Sequence, residues 1–180
     1  MILEQAQLTG ELQREKRYRE EFVFHLVRQE GTTCHELTAW ALRLGIDFAS
    51  PHAVLLITPD DADARPDQIL AELQQFQARL STLGHDSLSA ALSPREFAVI
   101  ESFAHRPQTL SEAAFARQRL QAMEQLLRAE TRLPFTVTMG VALPGIEGVA
   151  FSYKSATRTL RIGKQRDTRA NAHSFYELSL

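Results

Sequence analysis

From Pro134 to the end of the chain the hydrophobic pattern changes period twice. Phe135, Val137, Met139 and Val141 alternate with Thr136 and Thr138, and such alternation predicts a half-buried strand because successive side chains point to opposite faces. Pro144-Gly145 ends the run. Apolar positions then recur at helical spacing from Val149 through Ala156 to Gly163, and the apolar pair Phe175-Tyr176 predicts a closing strand.

The same reading orders the rest of the chain. A helix is predicted from Glu4 to Gln29, with Leu8, Leu12, Phe22 and Leu26 on one face and the charged stretch Arg14 to Glu21 between them. So polar a middle does not build a core, and the sparse stripe Leu8, Leu12, Phe22, Leu26 suits pairing with a second copy. The competing reading packs the helix on its own domain through Phe22, Val23, Leu26 and Val27. Gly31 breaks this helix, and a second one carrying Leu37, Ala41, Leu42 and Leu44 ends at Gly45, a left-handed cap. Ala53 to Ile57 is an unbroken apolar run, the mark of a strand covered on both faces. Ile69, Leu73, Phe76 and Leu80 follow Pro66 at helical spacing, and Gly84 closes that helix. Ser87 to Leu92 and Glu96 to Ile100 flank Ser93-Pro94-Arg95 as a hairpin. Thr109 to Glu112 matches a capping box at the start of a helix bearing Leu120, Met123 and Leu127.

The sum is an α+β, ferredoxin-like fold: a mostly antiparallel five-stranded sheet with helices on one face, preceded by an N-terminal helical segment. Residues 1–30 form the connector or dimerisation helix and residues 31–180 the domain.

Composition narrows what this fold can do. In 180 residues the formal net charge is -2, which gives no bulk attraction for nucleic acid. The one cysteine, Cys34, forms no internal disulfide. No signal-peptide pattern opens the chain, and no apolar run reaches the roughly 18–20 residues a membrane span needs. A cytoplasmic protein without membrane contact is expected.

The element order resembles the catalytic domain of diguanylate cyclases, in which a Gly-Gly-Asp/Glu-Glu-Phe turn sits at the hairpin. Here the turn reads Ser93, Pro94, Arg95, Glu96, Phe97. A serine and a rigid ring without an N–H replace the glycines that let backbone approach a nucleotide. Arg95 stands where an acidic metal ligand is needed, and a cation repels magnesium. The first strand ends Leu56 to Pro59, again without a carboxylate for the metal that phosphoryl transfer requires. Glu96 and Phe97 remain, as a strand-start glutamate and a core phenylalanine.

Other candidate chemistry is thin. Asp60, Asp61 and Asp63 lack the glycine and distant glutamate of a calcium loop and read as a solvated strand-to-helix loop with one aspartate capping the helix. His25, His35, His52, His85, His105 and His173 show no zinc-ligand spacing with one another or with Cys34. Neither a Gly-x-Ser-x-Gly elbow nor a phosphate-binding glycine loop occurs. Lys154, Arg158, Arg161, Lys164, Arg166 and Arg169, against Asp167 alone, make the one basic concentration, either a wet helix face or a dock for phosphate or an acidic partner. Tyr153 and Tyr176 read as core or rim packing. The expectation is no enzyme, no metal and no cofactor.

Taken together, Phe22 to Leu26, Ala41 to Asp47, Val137 to Val141, Ser152 to Ala156, Gly163 to Arg166 and Phe175 to Leu178 resemble the central GGDEF-like domain of the carbohydrate diacid and purine catabolism regulator families of bacterial transcription factors. The Gly-Lys-Gln-Arg stretch at Gly163 leans toward the diacid branch. The resemblance implies a bacterial cytoplasmic regulator with a sugar-diacid-sensing domain before this one and a helix-turn-helix DNA-binding domain after it; with the altered turn and the stripe on the first helix, the expectation is a catalytically degenerate coupling domain that forms a homodimer. Both neighbours would lie outside this chain, which on this reading opens inside a connecting helix. The alternative is a degenerate cyclase-like domain that still binds a nucleotide, as a sensor or a weak enzyme.

Overall fold

The computed structural model describes residues 2–83 and 88–178. The predicted helix stop at Gly84 and strand start at Ser87 lie outside the described residues. Among the described residues six helices and five strands follow in the order α1 (Ile2–Arg28), α2 (Cys34–Leu44), β1 (His52–Pro59), α3 (Pro66–Thr82), β2 (Leu88–Ser93), β3 (Glu96–Ser102), α4 (Glu112–Glu130), β4 (Phe135–Met139), α5 (Ile146–Arg166), β5 (Ala172–Ser174) and α6 (Phe175–Leu178).

The strands form one sheet in the order β2-β3-β1-β4-β5. β1 pairs antiparallel with β3 and β4, β2 with β3 likewise, and β5 alone runs parallel to its neighbour β4. The sheet is mostly antiparallel, as expected. Its helices, however, lie on both faces. On one side Ala53, Leu55 and Ile57 of β1 pack with Ile69, Leu73 and Phe76 of α3 and Leu120, Met123 and Leu127 of α4. On the other, Val54 packs with Phe22 and Leu26 of α1, Leu37 and Ala41 of α2, and Val149 of α5. One apolar layer would have left half of the central strand wet; two layers account for the unbroken run from Ala53 to Ile57, all of it buried.

Four local expectations are corrected. β4 is buried on both sides, with Thr136 and Thr138 fully covered, so the threonine alternation marks the face beneath a helix and not a solvated face. Phe175 and Tyr176 belong to the short helix α6, and the closing strand is Ala172–Ser174 before them. Helix α4 is capped by Ser111, whose Oγ accepts from the Ala114 N–H, and not by a box at Thr109; the helix whose capping box is complete is α2, through Thr33 and Glu36. Nor does an aspartate cap α3, whose N-cap is Arg65 with Pro66 at the first turn. Gly45 does take the left-handed conformation, at φ 71°.

Helix α5 lies unusually close to the sheet because its inner face carries Gly148, Ser152, Ala156, Thr159 and Gly163, all buried. Ser152 Oγ accepts the Val54 N–H at 2.8 Å, and Ser155 Oγ accepts the Val141 N–H at 2.8 Å. Past Met139 the ladder between β1 and β4 runs out, and these hydroxyls satisfy backbone donors that water does not reach.

Candidate functional site

The hairpin between β2 and β3 turns through Pro94-Arg95, with Ser93 Oγ accepting the Arg95 N–H at 3.2 Å. The Arg95 guanidinium reaches across to the loop after β1 and donates to the Asp61 carbonyl at 2.8 Å. A positive charge on the turn is therefore drawn to the loop that carries Asp60, Asp61 and Asp63. Asp60 is already engaged: it accepts from the Thr136 hydroxyl and pairs with Lys164 Nζ at 3.2 Å. Asp61 spends Oδ1 on the Asp63 N–H. Among the described residues no three His, Cys, Asp or Glu side chains are grouped to hold a metal.

Glu96 and Phe97 have structural work at the other side of the turn. Phe97 is buried and meets Phe76 edge-on, ring centroids 6.3 Å apart. Glu96 accepts from Arg28 at 3.3 Å and from the Tyr153 hydroxyl at 3.1 Å, while the Arg28 guanidinium sits 5.7 Å from the centre of the Tyr153 ring. One carboxylate thus ties the last turn of α1 and the middle of α5 to the start of β3. Gln29, at a left-handed φ of 51°, adds a bond from its side-chain amide to the Ile146 carbonyl. Burial, and then the adjacent Glu96 charge, push the Tyr153 hydroxyl above its ordinary pKa, so it stays a donor at neutral pH.

Beside the turn a groove of about 420 Å³ opens between α3 and β2, floored by Ile69, Leu73, Ala91 and Phe97. Its charged lining residues are Glu20 and Asp67. With no cation on its walls, it opposes the triphosphate of a nucleotide.

The proposed helix stripe is divided. Leu8 and Leu12 are 63% and 61% exposed, whereas Phe22 and Leu26 are fully buried in the domain's own core with Val23 and Val27. Of the basic concentration, Lys164 is drawn into the Asp60 pair, and Lys154, Arg158, Arg161, Arg166 and Arg169 are exposed. Tyr176 is more than packing: its hydroxyl donates to Glu112 and accepts the Ala142 N–H at 3.0 Å.

Two of the described histidines are buried. His52 is held below the ordinary histidine pKa by desolvation, against the Ser50 carbonyl and Asp47; His173 is lowered by desolvation and then by Lys164, against Asp167, Asp60 and Glu177. A depressed folded pKa means the unfolded chain binds the proton first. Stability is full above about pH 6.5 and falls as pH drops from there toward the folded values. A urea midpoint that declines between about pH 7 and pH 5, with both imidazoles titrating below the usual range by NMR, is the expected result. A flat midpoint would contradict it.

Arg28 escaped the sequence reading, and Tyr153 was read only as packing, because pairing across the fold leaves no local pattern. The small-residue face of α5 was legible in principle, since glycine, serine, alanine and threonine at helical spacing inside an apolar helix signal close approach to a neighbour.

A mostly antiparallel five-stranded sheet with helices on both faces, whose β2–β3 turn reads Ser93-Pro94-Arg95-Glu96-Phe97, defines the class of α+β domain to which the chain belongs. The family model described as a GGDEF-like domain matches residues 29–162, and the chain belongs to that family. It is also 33% identical over 184 residues to the carbohydrate diacid regulator of Escherichia coli (strain K12), covering all of this chain and 46% of that relative. The chain thus spans about half the length of the curated relative it matches. No described helix is long and apolar enough to cross a membrane.

Proposed function

We propose that this chain is the central, non-catalytic domain of a cytoplasmic transcriptional regulator responsive to sugar diacids, and that it couples an effector-sensing domain to a helix-turn-helix DNA-binding domain, both outside the chain. We further propose that it dimerises through the projecting half of α1. The observation that carries the reading is the joint at Glu96. The hairpin that would handle a nucleotide in a cyclase instead receives Arg28 of α1 and Tyr153 of α5, so a movement of the entry helix reaches the sheet directly.

Allosteric coupling is the ratio by which one ligand changes another's affinity. In a full-length regulator carrying this domain, Arg28→Ala is expected to leave effector and operator affinities near their separate values and to lower that ratio several-fold. Glu96→Gln should do the same, since it keeps the shape and removes the charge. Unchanged coupling in both variants would remove the relay. Calorimetry of this chain with GTP and magnesium is expected to give no binding heat, and a saturable heat would restore the nucleotide-sensor alternative.

A further inference from the structure

Helix α1 leaves the domain as an arm. From Ile2 to Arg17 every residue but Gly10 is exposed, a length of about 24 Å at about 1.5 Å per residue. Along one line of this arm lie Leu8, Glu11 and Glu15, with Leu12 beside them. The outer face of α5 presents Phe151, Lys154 and Arg158 at the same three-and-seven spacing, and Arg161 beyond. Phe151 is 59% exposed. All of these carboxylates and cations are exposed, and among the described residues none enters an ion pair within the chain.

These two stripes are complementary and belong to one sequence. Laid parallel, Leu8 falls opposite Phe151, Glu11 opposite Lys154 and Glu15 opposite Arg158. The arm's exposure places it clear of its own α5, so the match is available only to a second molecule. We propose that the α1 arm of one copy docks on the outer face of α5 of another, the two arms being exchanged so that the contact closes as a two-fold dimer. Leucine and phenylalanine supply the apolar contact, and the charges set register and partner, which is what surface charges do best. This deepens the dimer proposed above, and rests on it, by naming the surface that receives α1.

Sedimentation of the 180-residue chain across a range of concentrations tests it. The wild type is expected to dimerise. Glu11→Lys/Glu15→Lys and Lys154→Glu/Arg158→Glu, both at exposed positions whose folding is checked by circular dichroism, are each expected to weaken the dimer at least about tenfold, since two attractions become repulsions in each of its two symmetry-related contacts. Combining all four changes should restore it. A wild-type monomer at every concentration overturns both this contact and the dimer reading. A dimer broken by Leu12→Glu yet indifferent to Lys154→Glu/Arg158→Glu means α1 pairs with α1, which overturns this contact alone, as does failure of the fourfold variant to recover. DNA duplex binding to a wild-type monomer, lost in Lys154→Glu/Arg158→Glu, would give the α5 stripe to a polyanion and equally overturn the proposal.

Discussion

Gly140→Ala is expected to cost about 3 kcal/mol or more, at or above the upper end of what overpacking does. Gly140 follows β4 and donates its N–H to the Val54 carbonyl at 2.9 Å. A β-carbon there would stand 2.1 Å from the Ser152 carbonyl oxygen, 2.7 Å from Ser155 Oγ and 2.9 Å from Ser152 Oγ. The first of these is helix backbone and has no rotamer to escape into. α5 must lift, and lifting it strains the two serine hydroxyl bonds to Val54 and Val141, each of which leaves a buried N–H worth about 1–3 kcal/mol if orphaned. For a domain of this size about 2–4 °C accompanies each kcal/mol, so calorimetry should find the melting point lower by about 6 °C or more. Gly10→Ala is the control. Its β-carbon would meet little besides the far end of Arg14, at 4.0 Å, and alanine in an exposed helix gains about 0.5–1 kcal/mol over glycine. Equal melting points for the two variants would mean that α5 does not approach the sheet as closely as its hydroxyl bonds require.

The contrast between these glycines marks what the sequence could and could not disclose. Periodicity found the cores of α3 and α4: Ile69, Leu73, Phe76 and Leu80 on the first, and Leu120, Met123 and Leu127 on the second, are all buried. Those residues report burial by their own chemistry. The side of the sheet on which each helix lands has no such signature, because a strand such as β1 that is apolar throughout offers two equal faces. That is why a single helical layer was the simpler expectation and two were found. Thr136 and Thr138 misled for a related reason: short hydroxyl side chains serve under a close-packed helix as well as they serve in water. The candidate site divides in the same way. That Pro94 and Arg95 stand at the turn, and neither glycine nor acid, is visible in the letters, since it is a matter of residue type. The grip of Arg28 and Tyr153 on Glu96 joins residues from three elements and exists only in the folded chain.

The division of α1 yields the second large effect. Phe22→Ala is expected to destabilise the domain by about 3–5 kcal/mol, the range for emptying a buried aromatic site. The Phe22 ring is fully covered and sits 5.4 Å from that of Trp40 and 6.0 Å from that of Phe48, so its loss opens a cavity among aromatic neighbours that cannot easily collapse. Leu12→Ala, made on the same helix at a position 61% exposed, should leave the unfolding free energy of the monomer within about 0.5 kcal/mol. Its effect belongs to association. If the arm makes a dimer contact, mass action gives the wild type a melting point that rises with protein concentration, and Leu12→Ala should flatten that rise while Phe22→Ala shifts the whole curve downward. Chemical denaturation at low and high concentration separates the two behaviours. A Leu12→Ala variant as unstable as Phe22→Ala would make α1 a single structural element, folded onto its domain along its whole length, and would leave no arm for a partner to receive.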